Sequence, residues 1–228
     1  MARSSPEYRS ALRWLVHLPL WLDLDGIRVV HACWDPAAIA RLEDSGLCEG
    51  GCCSLGLCLK ATEKGRRPGI PSEAQRLSEA LDQILKGPEI PLPLQKSGEP
   101  FCFKDNEGRL RDKIRVQWWR EEARSFRDAA FLPERNGMPR APLPQSIFVC
   151  NPEKPTFIGH YWLRERDGVA PLTAKLACLD YSAGRGGPLA AYRWNEGEET
   201  LSEDQFVLAH PDEAPAQGHP DDDWDFLR

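Results

Sequence analysis

Two short apolar runs constrain this chain more than any other feature. "GIRVVHACWD", Gly26 to Asp35, and "TFIGHYWL", Thr156 to Leu163, read as buried strands, and each carries a histidine at its mouth: His31 and His160. A core strand gains nothing from an imidazole, because a buried polar ring needs a partner. Such a histidine is either a satisfied structural residue or a ligand. Neutral imidazole binds zinc, iron, manganese and nickel, and rigid strand ends hold ligands well. Spacing alone leaves both readings open.

The bulk of the chain supports a real core. It has 228 residues, 41% of them hydrophobic, with eight Trp and eight Phe, enough for one large domain or two small ones. The net charge of −6 gives a nucleic-acid polymer no electrostatic support as a partner. No apolar run reaches the roughly 18 residues of a membrane span, so no membrane partner is expected. Arg3, Arg9 and Arg13 precede "WLVHLPLWL", an arrangement that loosely imitates a signal peptide. His17 and Pro19 interrupt it, and no small-residue cleavage site follows. The expected location is therefore cytoplasmic, and the eight cysteines are expected as thiols. Four of them cluster in "LCEGGCCSLGLC": Cys48, Cys52, Cys53 and Cys58. The spacing lacks the C-x2-C pairs of a typical zinc site. Buried thiols are the plain reading, with a structural zinc or a redox pair as alternatives.

Four segments are distinguishable: residues 5–45 and 146–208, both of strand texture, an intervening helical and irregular cap at 46–145, and an acidic, proline-bearing tail at 209–228, expected to be disordered. In the first, Pro6 to His17 reads as an amphipathic helix with Ser5 as N-cap and Leu12, Leu15 and Val16 on its apolar face. Asp25-Gly26 reads as a hairpin turn, and Pro36 opens a short helix. In the cap, Ser72 and Gln75 fit a capping box. Leu77, Leu81, Ile84 and Leu85 share one helix face, and Gly87-Pro88 ends the helix. "RVQWWREEARSFRDAAFLP" predicts a second helix with Trp119, Ala123, Phe126 and Ala130 on one side.

Other motifs carry less chemistry. "DYSAG" lacks the glycine that a nucleophile elbow needs where Asp180 stands. "AGRGG" lacks the Lys-Ser/Thr of a P-loop and reads as a permissive turn. The indoles of "RVQWWR" read as core packing, and Asp221 to Asp223 as a solvated run.

Taken together, "LPLWLDLDGIRVVHACWD", "FIGHYWL" and "LDYSAGRGGPLAAYRW" resemble the second half of the calcineurin-like metallophosphoesterases, in the bacterial diadenosine-tetraphosphatase and protein-phosphatase-like group. "LKGPEIPLP" and "FKDNEGRLRDKIRVQWW" resemble an insertion of some bacterial members, and the likeness covers most of Leu12 to Val207. The resemblance implies an α+β or α/β fold, the remnant of an αββα sandwich. It implies His31 and His160 as metal ligands, and Asp180 as an orienter of a ligand histidine or water. The implied cofactors are divalent ions (Mn, Fe, Zn or Ni), dinuclear in complete relatives. The implied activity is metal-dependent hydrolysis of a phosphorylated substrate, an ester or anhydride. The family's first-half motifs, Asp-x-His, Gly-Asp-x-x-Asp-Arg-Gly and Gly-Asn-His-Asp/Glu, do not occur in this chain. The expectation is a chain truncated at its N-terminus, impaired by itself, for which a separately encoded N-terminal half would be a partner. The alternative is a catalytically inactive remnant or protein-binding module with structural histidines.

Overall fold

A computed structural model describes residues 5–15, 17–53, 58, 72–104, 108–131, 137–144 and 147–211. Val16, the Ser72 side chain of the expected capping box, and the tail from residue 212 with its three aspartates lie outside them.

Helix α1 spans Pro6–Leu15, and the Tyr8 N–H donates to Ser5 Oγ, the expected N-cap. None of its residues is buried, so Leu12 and Leu15 do not dock on the core. Strands β1 (Trp21–Asp23) and β2 (Arg28–Val30) form the expected hairpin, with Trp21 opposite Val30. Helix α2 (Pro36–Asp44) starts where proline fits without losing a bond, and the Asp35 carboxylate accepts from the Ala37 and Ala38 N–H groups. A small hairpin of β3 (Cys48–Glu49) and β4 (Cys52–Cys53) follows, and then α3 (Ser72–Lys86).

The next segment builds its own small core. Strand β5 (Glu89–Pro91) pairs with β8 (Lys113–Arg115), and β6 (Phe103–Lys104) with β7 (Leu110–Arg111). Leu92, Ile114, Val116, Phe126, Ala130 and Met138 are buried together there. The helix expected from Arg115 onward is not present. Only α4, Phe126–Ala129, is helical, and it starts at a Ser125–Asp128 capping box. The preceding backbone finds distant partners instead: Val116 N–H bonds the Pro88 carbonyl, Gln117 N–H that of Ala129, and Cys150 N–H that of Trp118. Tertiary hydrogen bonds have outweighed a helical periodicity.

The remaining strands are β9 (Thr156–Ile158), β10 (Leu176–Cys178), β11 (Leu189–Tyr192) and β12 (Phe206–Ala209). The main sheet has the order β1-β2-β9-β10, with β2, β9 and β10 parallel and β1 antiparallel. The chain is therefore α+β with a mixed sheet. Side chains alternate across it. Val30, Ile158, Leu176 and Cys178 pack toward α2 and α3, with Ala38, Leu42, Ala80 and Ile84. Val29, Phe157 and Ala177 face the other way, toward Tyr192 and Phe206 of the β11–β12 hairpin. Both faces of the central strands are covered, which explains their uninterrupted apolar sequence.

Cysteines depart from the expectation in one respect: Cys48 and Cys53, directly opposed in the β3–β4 hairpin, are joined by a disulfide. Cys33, Cys52, Cys58, Cys102, Cys150 and Cys178 are thiols. Among the described residues, no helix is long and apolar enough to cross a membrane.

Candidate metal centre

Parallel neighbours β2 and β9 end at the same edge of the sheet, so the residues that follow them meet there. The Gly159 N–H donates to the His31 carbonyl, which locks the two exits together. The His31 and His160 ring centroids are 5.2 Å apart. That separation suits two imidazoles sharing an ion through ~2.0–2.1 Å bonds.

Simple strand alternation would not bring them together. The register pairs Val29 with Phe157, which places Gly159, rather than His160, abreast of His31. A fully extended chain would then send His160 to the opposite sheet face. Instead His160 adopts a left-handed φ of 67°, which turns its ring back toward His31. That conformation is unfavourable for a residue with a Cβ.

The surrounding loops are tied down. Ala32 N–H donates to the Ile84 carbonyl near the C-terminal end of α3, and Trp118, fully buried, donates its indole N–H to the Ala32 carbonyl at 3.2 Å. Leu163 N–H donates to the Asp180 carbonyl, and Ser182 Oγ donates to the Leu163 carbonyl. The loops after β2, β9 and β10 thus form one hydrogen-bonded rim.

Asp180 lies on that rim. Its carboxylate accepts from the Ser182 N–H at 3.0 Å, an Asx turn, and among the described residues neither imidazole donates to it. It still influences both rings electrostatically, favouring their charged forms. Burial outweighs it. The protein packed on one side of His31, whose other side is exposed, lowers that ring's pKa; burial first, then Arg115 and His31, brings His160 down to about 4. Both rings are neutral near pH 7, the form that binds metals. His160 Nε2 is fully covered and, among the described residues, has no hydrogen-bond partner. An unpaired buried acceptor or donor is costly unless something else satisfies it.

The donor set fits part of a metal site. Two neutral imidazoles can hold one divalent ion. They cannot offset two dications in a dinuclear centre, which needs a bridging carboxylate. No described carboxylate joins both histidines at ligand distance; the one described group of three such residues is Cys48, Cys53 and Cys58.

His160 also lines a large cleft of about 1980 Å³. Lys104, Arg109, Arg111, Lys113 and Arg115 supply one wall, and Lys86, Arg120, Arg164 and Arg185 add to it. Among the described residues, nine Lys and Arg therefore line the cleft against four acids, Glu89, Asp112, Glu122 and Asp167, in a chain whose total is −6. Arg185 stacks over Trp162 at 4.7 Å, beside His160. Net charge could not reveal this wall. A local signal was present: in "GRLRDKIR" the cations Arg109, Arg111, Lys113 and Arg115 recur every second residue, the period that gathers side chains on one face of a strand.

Comparison with known protein families, with characterised proteins and with solved structures finds no match to this chain.

Proposed function

We propose that this chain carries the imidazole half of a metallophosphoesterase centre, with His31 and His160 as ligands of a divalent ion and the cationic cleft as the seat of a phosphorylated substrate. The observation that carries the reading is the pairing of the two rings at adjacent strand exits, bought with a left-handed backbone at His160 and an unpartnered Nε2. Among the described residues only His160 combines the two: Trp162 and Ser182 share the positive φ, and Arg115, Tyr161 and Tyr181 the buried unpartnered atom. The cleft's excess of cations is the electrostatic complement of phosphate oxygens.

The chemistry is metal-assisted hydrolysis of a phosphate ester or anhydride. The bound ion would lower the pKa of a water and neutralise the phosphate. The chain's own part is to orient the ion through two neutral imidazoles and to hold the substrate's charge on Lys104, Lys113, Arg115 and their neighbours. The bridging carboxylate comes from a polypeptide segment with the acidic motifs that this chain does not contain. A layered sheet covered by helices on one face and by a strand pair on the other is compatible with part of an αββα sandwich.

The test is manganese binding by electron paramagnetic resonance, with p-nitrophenyl phosphate turnover in parallel. One weakly bound ion is expected, lost in His31→Ala and in His160→Ala and retained in Asp180→Asn. Turnover should stay at background until a carboxylate-bearing half is supplied. Manganese affinity unchanged in the double alanine variant would overturn the proposal and favour an inactive binding module with structural histidines.

A further inference from the structure

The cysteine cluster lies at a different place, at the rim of the main core beneath β1. Its frame is stiff. Gly50 and Gly51 take left-handed φ values of 54° and 86°, the pair that a tight two-residue hairpin turn requires. The Leu20 N–H donates to the Gly51 carbonyl, and a Cβ on Gly51 would come within 2.0 Å of the Trp21 carbonyl oxygen. The hairpin backbone is therefore pinned under β1, with Cys48 and Cys53 directly opposed in it. Cys48 is buried in the main core, and Cys53 and Cys58 pack against it. The three sulfurs all lie within 4.8 Å of one another.

The disulfide joins two of these sulfurs, and the sulfur of Cys58 lies beside them. Nothing in a Cys48–Cys53 bond requires Cys58 to return to the same point. Zinc would use all three. With Zn–S bonds of about 2.3 Å, tetrahedral geometry sets the sulfurs roughly 3.8 Å apart. The cluster reaches this when the Cys48–Cys53 bond opens and rotation about the Cα–Cβ bonds separates the two sulfurs.

We propose that the reduced chain binds a soft divalent ion, zinc in the first instance, through the thiolates of Cys48, Cys53 and Cys58, with solvent in the fourth position. Reduction of the disulfide by a dithiol takes two electrons and two protons, and the reductant leaves as its own disulfide. Binding then releases three protons, one from each thiol, as three S–Zn bonds form.

The site is independent of the histidine centre, and the experiment separates them. The full chain, reduced and oxygen-free, is titrated with cobalt(II) as an optical probe. A near-ultraviolet sulfur-to-cobalt charge-transfer band with tetrahedral visible bands is expected, saturating at one ion per chain and abolished by one equivalent of zinc. Cys48→Ser, Cys53→Ser and Cys58→Ser should each lose or sharply weaken the band. Cys52→Ser, Cys102→Ser and the His31→Ala/His160→Ala double variant should keep it. Cys58→His, which retains a ligand, should still bind, with a smaller charge-transfer intensity; this covers the case in which serine disturbs folding. No charge-transfer band in a reduced chain with native circular dichroism, or a band that persists in the triple serine variant, would overturn the proposal.

Discussion

Replacing His160 by glycine should stabilise the metal-free chain. The side chain's Nε2 is covered and unpartnered, which costs about 1–3 kcal/mol. Its φ of 67° costs a residue with a Cβ about 1–2 kcal/mol relative to glycine. Two terms oppose. The half-buried ring loses contact with His31 and Trp162, about 1 kcal/mol by area. Glycine also loses more backbone freedom on folding, about 0.5–1 kcal/mol. The balance is a gain of about 2 kcal/mol, or roughly 4–8 °C in Tm for a domain of this size. His160→Ala removes the ring but keeps the strained φ, so it should fall below His160→Gly. The assay is urea unfolding of the three proteins with chelator present, followed by the same series with manganese. Added metal should reverse the order, because only the wild type gains binding energy on folding. If the chelated wild type is more stable than both variants by over 1 kcal/mol, His160 is a structural residue and the argument from its unfavourable setting fails.

Two further perturbations test the frame around the site. Asp35→Ala removes the acceptor for the Ala37 and Ala38 N–H groups at the start of α2 and should cost about 1–2 kcal/mol, or about 2–8 °C, while Asp35→Asn restores most of it; thermal unfolding decides, and a loss under 1 °C would show the cap to be dispensable. A ring held at a pKa of about 4 when folded and near ~6.5 when unfolded makes the unfolded state bind more protons between those values. Stability should therefore drop as pH falls through that window, with no further loss from this group below it, and nuclear magnetic resonance titration of the His160 ring should place its midpoint well under that of a free imidazole. A midpoint above 6.5 would contradict the burial argument.

What could be read from the chain alone was local. An apolar run without alternation announces a strand covered on both faces, and β2 and β9 stand where "RVV" and "TFI" do. Asp35-Pro36 writes the start of α2 in two residues, because one supplies the capping oxygen and the other lacks the N–H that would go unpaired. The β1–β2 hairpin and the stop of α3 at Gly87 are legible for similar reasons. The helix expected after Arg115 failed because Gln117 and its neighbours bond to carbonyls far along the chain, and no periodicity encodes those partners. The site followed the same division. That His31 and His160 end strands is a property of sequence. That they face each other follows from a sheet order that sets β2 beside β9, and from a single left-handed residue that overrides alternation. The placing of the cleft's cations around His160 is likewise tertiary, although the alternating cations of "GRLRDKIR" and the cluster from Cys48 to Cys58 stand in the sequence. Propensity and capping act within a few residues, whereas contacts between distant loops depend on which strands become neighbours, and packing over the whole sheet decides that.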